Sequence, residues 1–154
     1  LGLADIYIMD TPDALLVADA KQTENVRHIF TALGQRQEAL LPPTVRRPWG
    51  SYTVLAEGNG YKVKRIDVLP QQKLSLQSHR KRSEHWTCIH GAMGIVIEER
   101  DFIMAVDESC HISLGAKHRM YNNTDAPAAV IEVQIGDYLG EDDIIRYEDI
   151  YGRT

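Results

Sequence analysis

From Trp49 to Gln134 the chain is a succession of short apolar runs, each soon followed by turn-forming residues. The runs are Tyr52–Leu55, Tyr61–Val68, Leu74–Leu76, Trp86–Ile89, Gly94–Ile97, Phe102–Val106, His111–Leu114 and Ala128–Gln134. Gly58-Asn59-Gly60, Gly91, Asn122-Asn123 and Pro127 punctuate them. Strands recurring at about 8–12 residues with such turns fold as a β-sandwich or β-barrel. Trp49 and Trp86 read as core anchors rather than sugar-stacking platforms. Cys88 reads as a small buried hydrophobe.

The flanks differ. Ile6–Met9 and Ala14–Ala18 are short apolar runs around a Pro-containing turn at Asp10–Asp13, which predicts two strands. Val26, Ile29, Phe30 and Leu33 fall at helical spacing before Gly34, which predicts an amphipathic helix over 21–33. Residues 1–40 therefore form an N-terminal β/α appendage. Residues 41–48, with Pro42-Pro43 and Arg46-Arg47-Pro48, read as a linker, and 49–154 as the β domain. The acidic, aromatic tail from Gly136 is expected to pack as a short helix or arm.

A chain of 154 residues with 44% hydrophobic and 25% charged residues suits one soluble domain with an appendage. A net charge of −5 gives a nucleic-acid partner no electrostatic support. Cys88 and Cys110 form no C-x-x-C pair, so neither a disulfide framework nor a zinc knuckle is indicated, and a reducing cytoplasm is the expected setting. No apolar run reaches membrane-spanning length. The chain opens on Leu1 rather than Met, which fits a piece of something longer.

The chemistry concentrates in Q-S-H-R-K-R-S-E-H-W, Gln77–Trp86. On a strand Gln77 and His79 share a face, and Glu84, after a turn, can open the next strand toward the same interior. Far along, Gly115 permits a tight turn that aims His118 inward. Two imidazoles, a carboxylate and an amide oxygen suit Zn²⁺, and also Mn²⁺, Fe²⁺ or Co²⁺. The plainer alternative has His79 capping a turn, Glu84 paired with Arg82, and Arg80-Lys81-Arg82 as a solvated loop. His28, His90 and His111 receive no role.

Gln71–Gly91 resembles the first cupin motif, with Gln77, His79, Glu84 and Gly91 in register and Gln71 in place of its opening glycine. His111–Asn122 resembles the second, with Gly115, His118 and Asn122 in register and Ser113 in place of its proline. R-P-W-G-S-Y (Arg47–Tyr52), Y-K-V-K-R-I (Tyr61–Ile66), R-S-E-H-W (Arg82–Trp86), L-G-A-K-H-R (Leu114–Arg119) and the tail Tyr138–Arg153 resemble the type II phosphomannose isomerase domain. In that family the domain follows a mannose-1-phosphate guanylyltransferase, whose end the stretch Asp10–Asp19 resembles. The transferase's glycine-rich nucleotide-binding start is absent, so a chain of this extent alone is not expected to make GDP-mannose.

The resemblance implies a jelly-roll-like cupin β-barrel. It implies a divalent metal, zinc first and Mn, Co or Fe as substitutes, on Gln77, His79, Glu84 and His118. The implied reaction interconverts mannose 6-phosphate and fructose 6-phosphate through a cis-enediol, feeding GDP-mannose and polysaccharide synthesis. Arg82 matches the family's arginine and is taken as catalytic. Candidate bases are His85, Lys117, Glu141 and Asp142; candidate substrate contacts are Lys64, Arg80, Lys81, Lys117 and Glu141. Arg80 and Lys81 stand where the family usually has histidines. They fit either a cationic lip for the phosphate or a divergent copy without turnover. The rival reading is a non-catalytic cupin that binds a sugar phosphate or a partner, or a fragment of a bifunctional enzyme. Exposed barrel edges suggest a homodimer.

Overall fold

The computed structural model describes residues 2, 4–11, 14–34 and 44–152 and divides into two units, 1–43 and 44–154. In the first, β1 (Ile6–Thr11) and β2 (Ala14–Asp19) pair antiparallel, with Ile8 opposite Val17. The expected helix over 21–33 is shorter. Asp19 accepts a hydrogen bond from the Lys21 N–H at 2.7 Å and starts a 3₁₀ segment, Ala20–Asn25. Only Val26–Leu33 is α-helical (α1). None of the unit's described residues is buried.

The second unit carries the remaining strands: β3 (Thr44–Arg47), β4 (Gly50–Gly58), β5 (Tyr61–Val68), β6 (Gln72–Lys73), β7 (Leu76–His79), β8 (Arg82–His90), β9 (Ala92–Ile97), β10 (Arg100–Ala105), β11 (Ser109–Ile112), β12 (His118–Asn122), β13 (Ala128–Gly136) and β14 (Ile144–Glu148). They form two six-stranded sheets, β10-β9-β12-β7-β14 with β6 on β12, and β11-β8-β13-β5-β4-β3. The architecture is jelly-roll-like, as expected, with sheets that are not closed into a barrel.

Two expectations need correction, and one strand was not among those expected. Of the linker 41–48, residues 41–43 lie outside the described residues and Thr44–Arg47 is an edge strand, paired with β4. The tail is mainly a strand: after a 3₁₀ turn at Glu141–Asp143, β14 pairs antiparallel with β7. β12 was not read at all, because the inward positions of H-R-M-Y-N alternate polar and apolar residues, His118, Met120 and Asn122. Its period-2 burial is complete, but its hydrophobic period is not.

The apolar core joins Met93, Ile95, Met104 and Met120 of one sheet to Ile66, Val68, Trp86, Ile112 and Val130 of the other. Trp49, Trp86 and Cys88 are buried, as their sequence context indicated. Two positions of the expected motif have backbone reasons. Gly91 has φ +70, and a Cβ there would meet the Pro127 carbonyl oxygen at 2.8 Å. Gln71 holds φ +58 where the motif has glycine, and its amide donates to the carbonyls of Asn123 and Thr124. Gly91→Ala combines left-handed strain with a backbone clash. Chemical denaturation is expected to show a loss of roughly 1–3 kcal/mol for this variant.

Candidate functional site

β8 and β13 lie side by side and alternate in and out. The inward residues of β8 are Arg82, Glu84, Trp86 and Cys88, all buried. In β13 the inward positions include Glu132 and Gln134, both buried. The register sets Gln134 opposite Glu84 and Glu132 opposite Trp86, while Lys64 of β5 lies opposite Glu132. The facing sheet contributes β7 and β12, where His118 pairs with Gln77. The Gly115 turn, at φ +81, precedes β12.

His79, Glu84 and His118 are all buried, and their ligand atoms lie within 4.8 Å of one another. His79 Nε2 is 3.1 Å from Glu84 Oε1, and His118 Nε2 is 3.7 Å from Glu84 Oε2. His118 Nδ1 lies 2.9 Å from the Ala116 carbonyl, which only accepts, so Nδ1 carries the proton. Burial, the largest influence, pushes the His118 pKa down, which favours the neutral ring. Its Nε2 lone pair is therefore buried without a hydrogen-bond partner, turned toward a carboxylate oxygen. Two buried acceptors facing each other repel unless a cation lies between them. The residues present fit a divalent ion: two imidazoles and a carboxylate, with His118 oriented through its other nitrogen.

Glu84 is the hub. Burial acts against its charge, but the His79 contact and the Arg82 guanidinium outweigh burial and hold its pKa far below the usual carboxylate range. Arg82 Nε donates to Oε1 at 3.1 Å, Gln134 Nε2 to Oε1 at 3.3 Å, and Trp86 Nε1 to Oε2 at 3.1 Å. Trp86 Nε1 also reaches Glu132 Oε2 at 3.1 Å, and Gln134 Nε2 reaches Glu132 Oε1 at 2.8 Å. Burial and then the neighbouring Glu84 charge raise the Glu132 carboxyl, favouring its neutral form beside an ionised Glu84.

Beside this hub lies a cleft of about 100 Å³, partly open to solvent. Gln77, Arg82, Glu84, Glu132, Gln134, Lys64 and Glu141 all line it. Lys64 is buried, and its ammonium bonds Glu141 at 2.5 Å. Burial opposes that charge, while Glu132 and Glu141 outweigh burial and raise the Lys64 pKa. Burial likewise opposes the Glu141 charge; Lys64 overcomes it and lowers the pKa.

Other sequence candidates lie elsewhere. His85 follows Glu84 and so points to the opposite face of β8, exposed, with its ring 4.5 Å from that of His111. Lys117 is exposed, with its ammonium 4.5 Å from the centre of the Tyr147 ring. Asp142 is exposed and accepts from the Tyr138 hydroxyl at 2.6 Å. None of the three lines the cleft beside Glu84. Arg80 and Lys81 are exposed, and Lys81 lies over the Tyr138 ring at 4.8 Å. Neither lines the cleft. Asn122 is structural: its amide donates to Val68 and Ala126 carbonyls. Sequence reasoning missed Glu132 and Gln134. Their signal is visible in A-A-V-I-E-V-Q-I, where two polar residues occupy alternate positions of an otherwise apolar strand.

A family model described as mannose-6-phosphate isomerase C-terminal matches residues 34–149. The alginate biosynthesis protein of Pseudomonas aeruginosa is 40% identical, with the match covering 100% of this chain and 32% of that protein. The xanthan biosynthesis protein of Xanthomonas campestris is 40% identical, covering 100% and 33%. A mannose-1-phosphate guanylyltransferase of Escherichia coli is 37% identical, covering 100% and 33%. The chain thus spans about a third of the length of these curated relatives. Among solved structures, a sugar phosphate isomerase from a cupin superfamily, from Silicibacter pomeroyi, superposes with TM-score 0.52 at 22% identity, covering 55% of this chain and 58% of that one. An oxalate decarboxylase formate complex from Lactobacillus farciminis gives TM-score 0.59 at 16% identity, covering 68% and 33%. At such identities these likenesses carry the fold alone, the cupin double-stranded β-helix.

The donor set makes a direct prediction. Chelator-stripped protein titrated with Zn²⁺ or Co²⁺ is expected to take up one equivalent and melt at higher temperature. Saturation at 100 times Kd adds about 2.7 kcal/mol. His118→Ala is expected to weaken metal binding at least roughly 100-fold by calorimetry.

Proposed function

We propose, from the premise that this chain belongs to the mannose-6-phosphate isomerase C-terminal family, that it interconverts mannose 6-phosphate and fructose 6-phosphate. One observation carries the reading. A buried His79–Glu84–His118 donor set, with a lone pair of His118 left without a hydrogen-bond partner, adjoins a cleft that also holds a Lys64–Glu141 ion pair. Gln77, which lines the cleft next to Glu84, completes the proposed ligand set.

The reaction moves one proton from C2 to C1 and another from O2 to O1, with no net redox change. Gln77, His79, Glu84 and His118 would hold a divalent ion, zinc by donor type with Mn, Co or Fe as substitutes, and it would supply Lewis acidity to the reacting sugar oxygens. Glu141 acts as the base. Its carboxylate is ionised and 44% exposed at the cleft, where substrate can reach it. It takes the C2 proton and returns it at C1. Lys64, charged and in contact with Glu141, hands a proton to the developing O1 oxyanion and recovers one from O2. Arg82 holds Glu84 and the Gly140 carbonyl at 2.9 Å, so its role is to fix the Glu84 carboxylate and the loop that carries Glu141. The names of the relatives support a place for the product in GDP-mannose and polysaccharide synthesis.

The test is a coupled assay of fructose 6-phosphate formation from mannose 6-phosphate. Chelator-stripped protein is expected to be inactive, and Zn²⁺, Mn²⁺ or Co²⁺ to restore turnover. Glu141→Gln is expected to lower kcat roughly 10²–10⁴-fold while mannose 6-phosphate still binds. Folded, metal-loaded protein that binds mannose 6-phosphate and makes no product would replace this reading with a binding module.

A further inference from the structure

Four cationic side chains line the cleft, and two of them have no anionic partner. Lys64 is committed to Glu141, and Arg82 to Glu84 and the Gly140 carbonyl. The other two are Arg47, the last residue of β3, and Arg146, inside β14. Among the described residues no carboxylate lies within ion-pair distance of either. Arg146 Nε is buried and makes no hydrogen bond, while the Arg47 guanidinium lies 5.6 Å from the centre of the Tyr52 ring.

Their place in the fold is specific. β3 ends one sheet and β14 ends the other, and residues of both strands line this cleft. Arg146 sits directly opposite Gln77 in the β14–β7 pair, so the strand pair that offers Gln77 to the donor set also carries the unpaired guanidinium. A partly buried guanidinium without an anion is costly in the isolated protein. Its planar donor edge matches a phosphate oxygen pair, which an ammonium cannot reproduce.

We propose that Arg146 and Arg47 form the phosphate subsite of this cleft, receiving a phosphomonoester between the two sheet edges. The phosphate anchor thereby moves from the β7–β8 turn, where Arg80 and Lys81 are exposed, to β3 and β14. The identity of the attached group as a hexose rests on the isomerase reading; the anion subsite itself does not.

The experiment is calorimetric titration of the metal-loaded chain with mannose 6-phosphate, mannose and inorganic phosphate. It compares wild type with Arg146→Gln, Arg146→Lys, Arg47→Gln and the double variant Arg80→Gln/Lys81→Gln. Arg146→Gln is expected to weaken mannose 6-phosphate and inorganic phosphate by roughly 10–100-fold. Arg47→Gln is expected to weaken both in the same direction, and Arg146→Lys to fall between Arg146→Gln and wild type. Phosphate binding lost in Arg146→Gln, in a wild type without isomerase turnover, supports the subsite and sinks the isomerase reading. Turnover in wild type with unaltered affinities in Arg146→Gln and Arg47→Gln overturns the subsite and leaves the isomerase. So does a loss confined to the Arg80/Lys81 variant, or a wild type that binds neither phosphate probe. If Arg146→Gln does not fold, Arg146→Lys and Arg47→Gln decide the matter by the same criteria.

Discussion

Glu84 is a carboxylate taken fully out of water, and such a charge persists only when donors and cations surround it. Its donors come from β7, β8 and β13, so the network ties strands of both sheets across the interior. The sandwich is thus held in two different ways. Around Met93, Met104 and Met120 the sheets meet through apolar packing. Around Glu84 they meet through charge, and removing one partner of such a buried network typically costs about 3–5 kcal/mol. The site is consequently part of what positions the sheets.

That arrangement also sorts the carboxyl groups of the interior by role. Glu84 is ionised because cations and imidazoles surround it; Glu132, one strand over, is driven toward its neutral form by burial and by Glu84 itself. Glu141 stays ionised at the cleft through Lys64. Three glutamates within one cleft therefore occupy different electrostatic environments, the condition under which a single site can both hold an ion and move a proton. The proposed anion subsite extends the same logic to the two unpaired arginines at the sheet edges.

Much of this was legible in the residues. The apolar runs marked most strands, since a half-buried strand advertises itself by period. Gln77, His79, Glu84 and His118 were legible as polar residues placed where a barrel interior would be. β12 was not, because polar side chains occupy two of its inward positions: His118 and Asn122 erase the hydrophobic alternation that Met120 alone cannot restore. β14 was hidden for a related reason. Its acidic approach, Glu141–Asp143, looks like a helix start, and only pairing with β7 makes I-I-R-Y-E a strand. The base candidates show the limit of counting along the chain. His85 adjoins Glu84 in sequence, yet the strand's two-residue period sends it to the other face. Glu141 lies far away in sequence and reaches the cleft because β14 returns to β7.

Arg80 and Lys81, where the resembled motif has histidines, can be understood in the same terms. Asp143 is buried, and its two carboxylate oxygens accept the backbone N–H groups of Arg80 and Lys81 at 3.3 and 3.1 Å. The turn between β7 and β8 is therefore fixed through its main chain, and its side chains point outward. Because the hold is on the backbone, the identity of residues 80 and 81 is uncoupled from the geometry of His79 on one side and Arg82 and Glu84 on the other. A change from imidazole to cation at these two positions alters the charge of the outer surface while the buried donor set keeps its place. The same clamp anchors the approach to β14, which carries Arg146, and to Glu141, so the turn, the proposed base and the proposed anion subsite share one support.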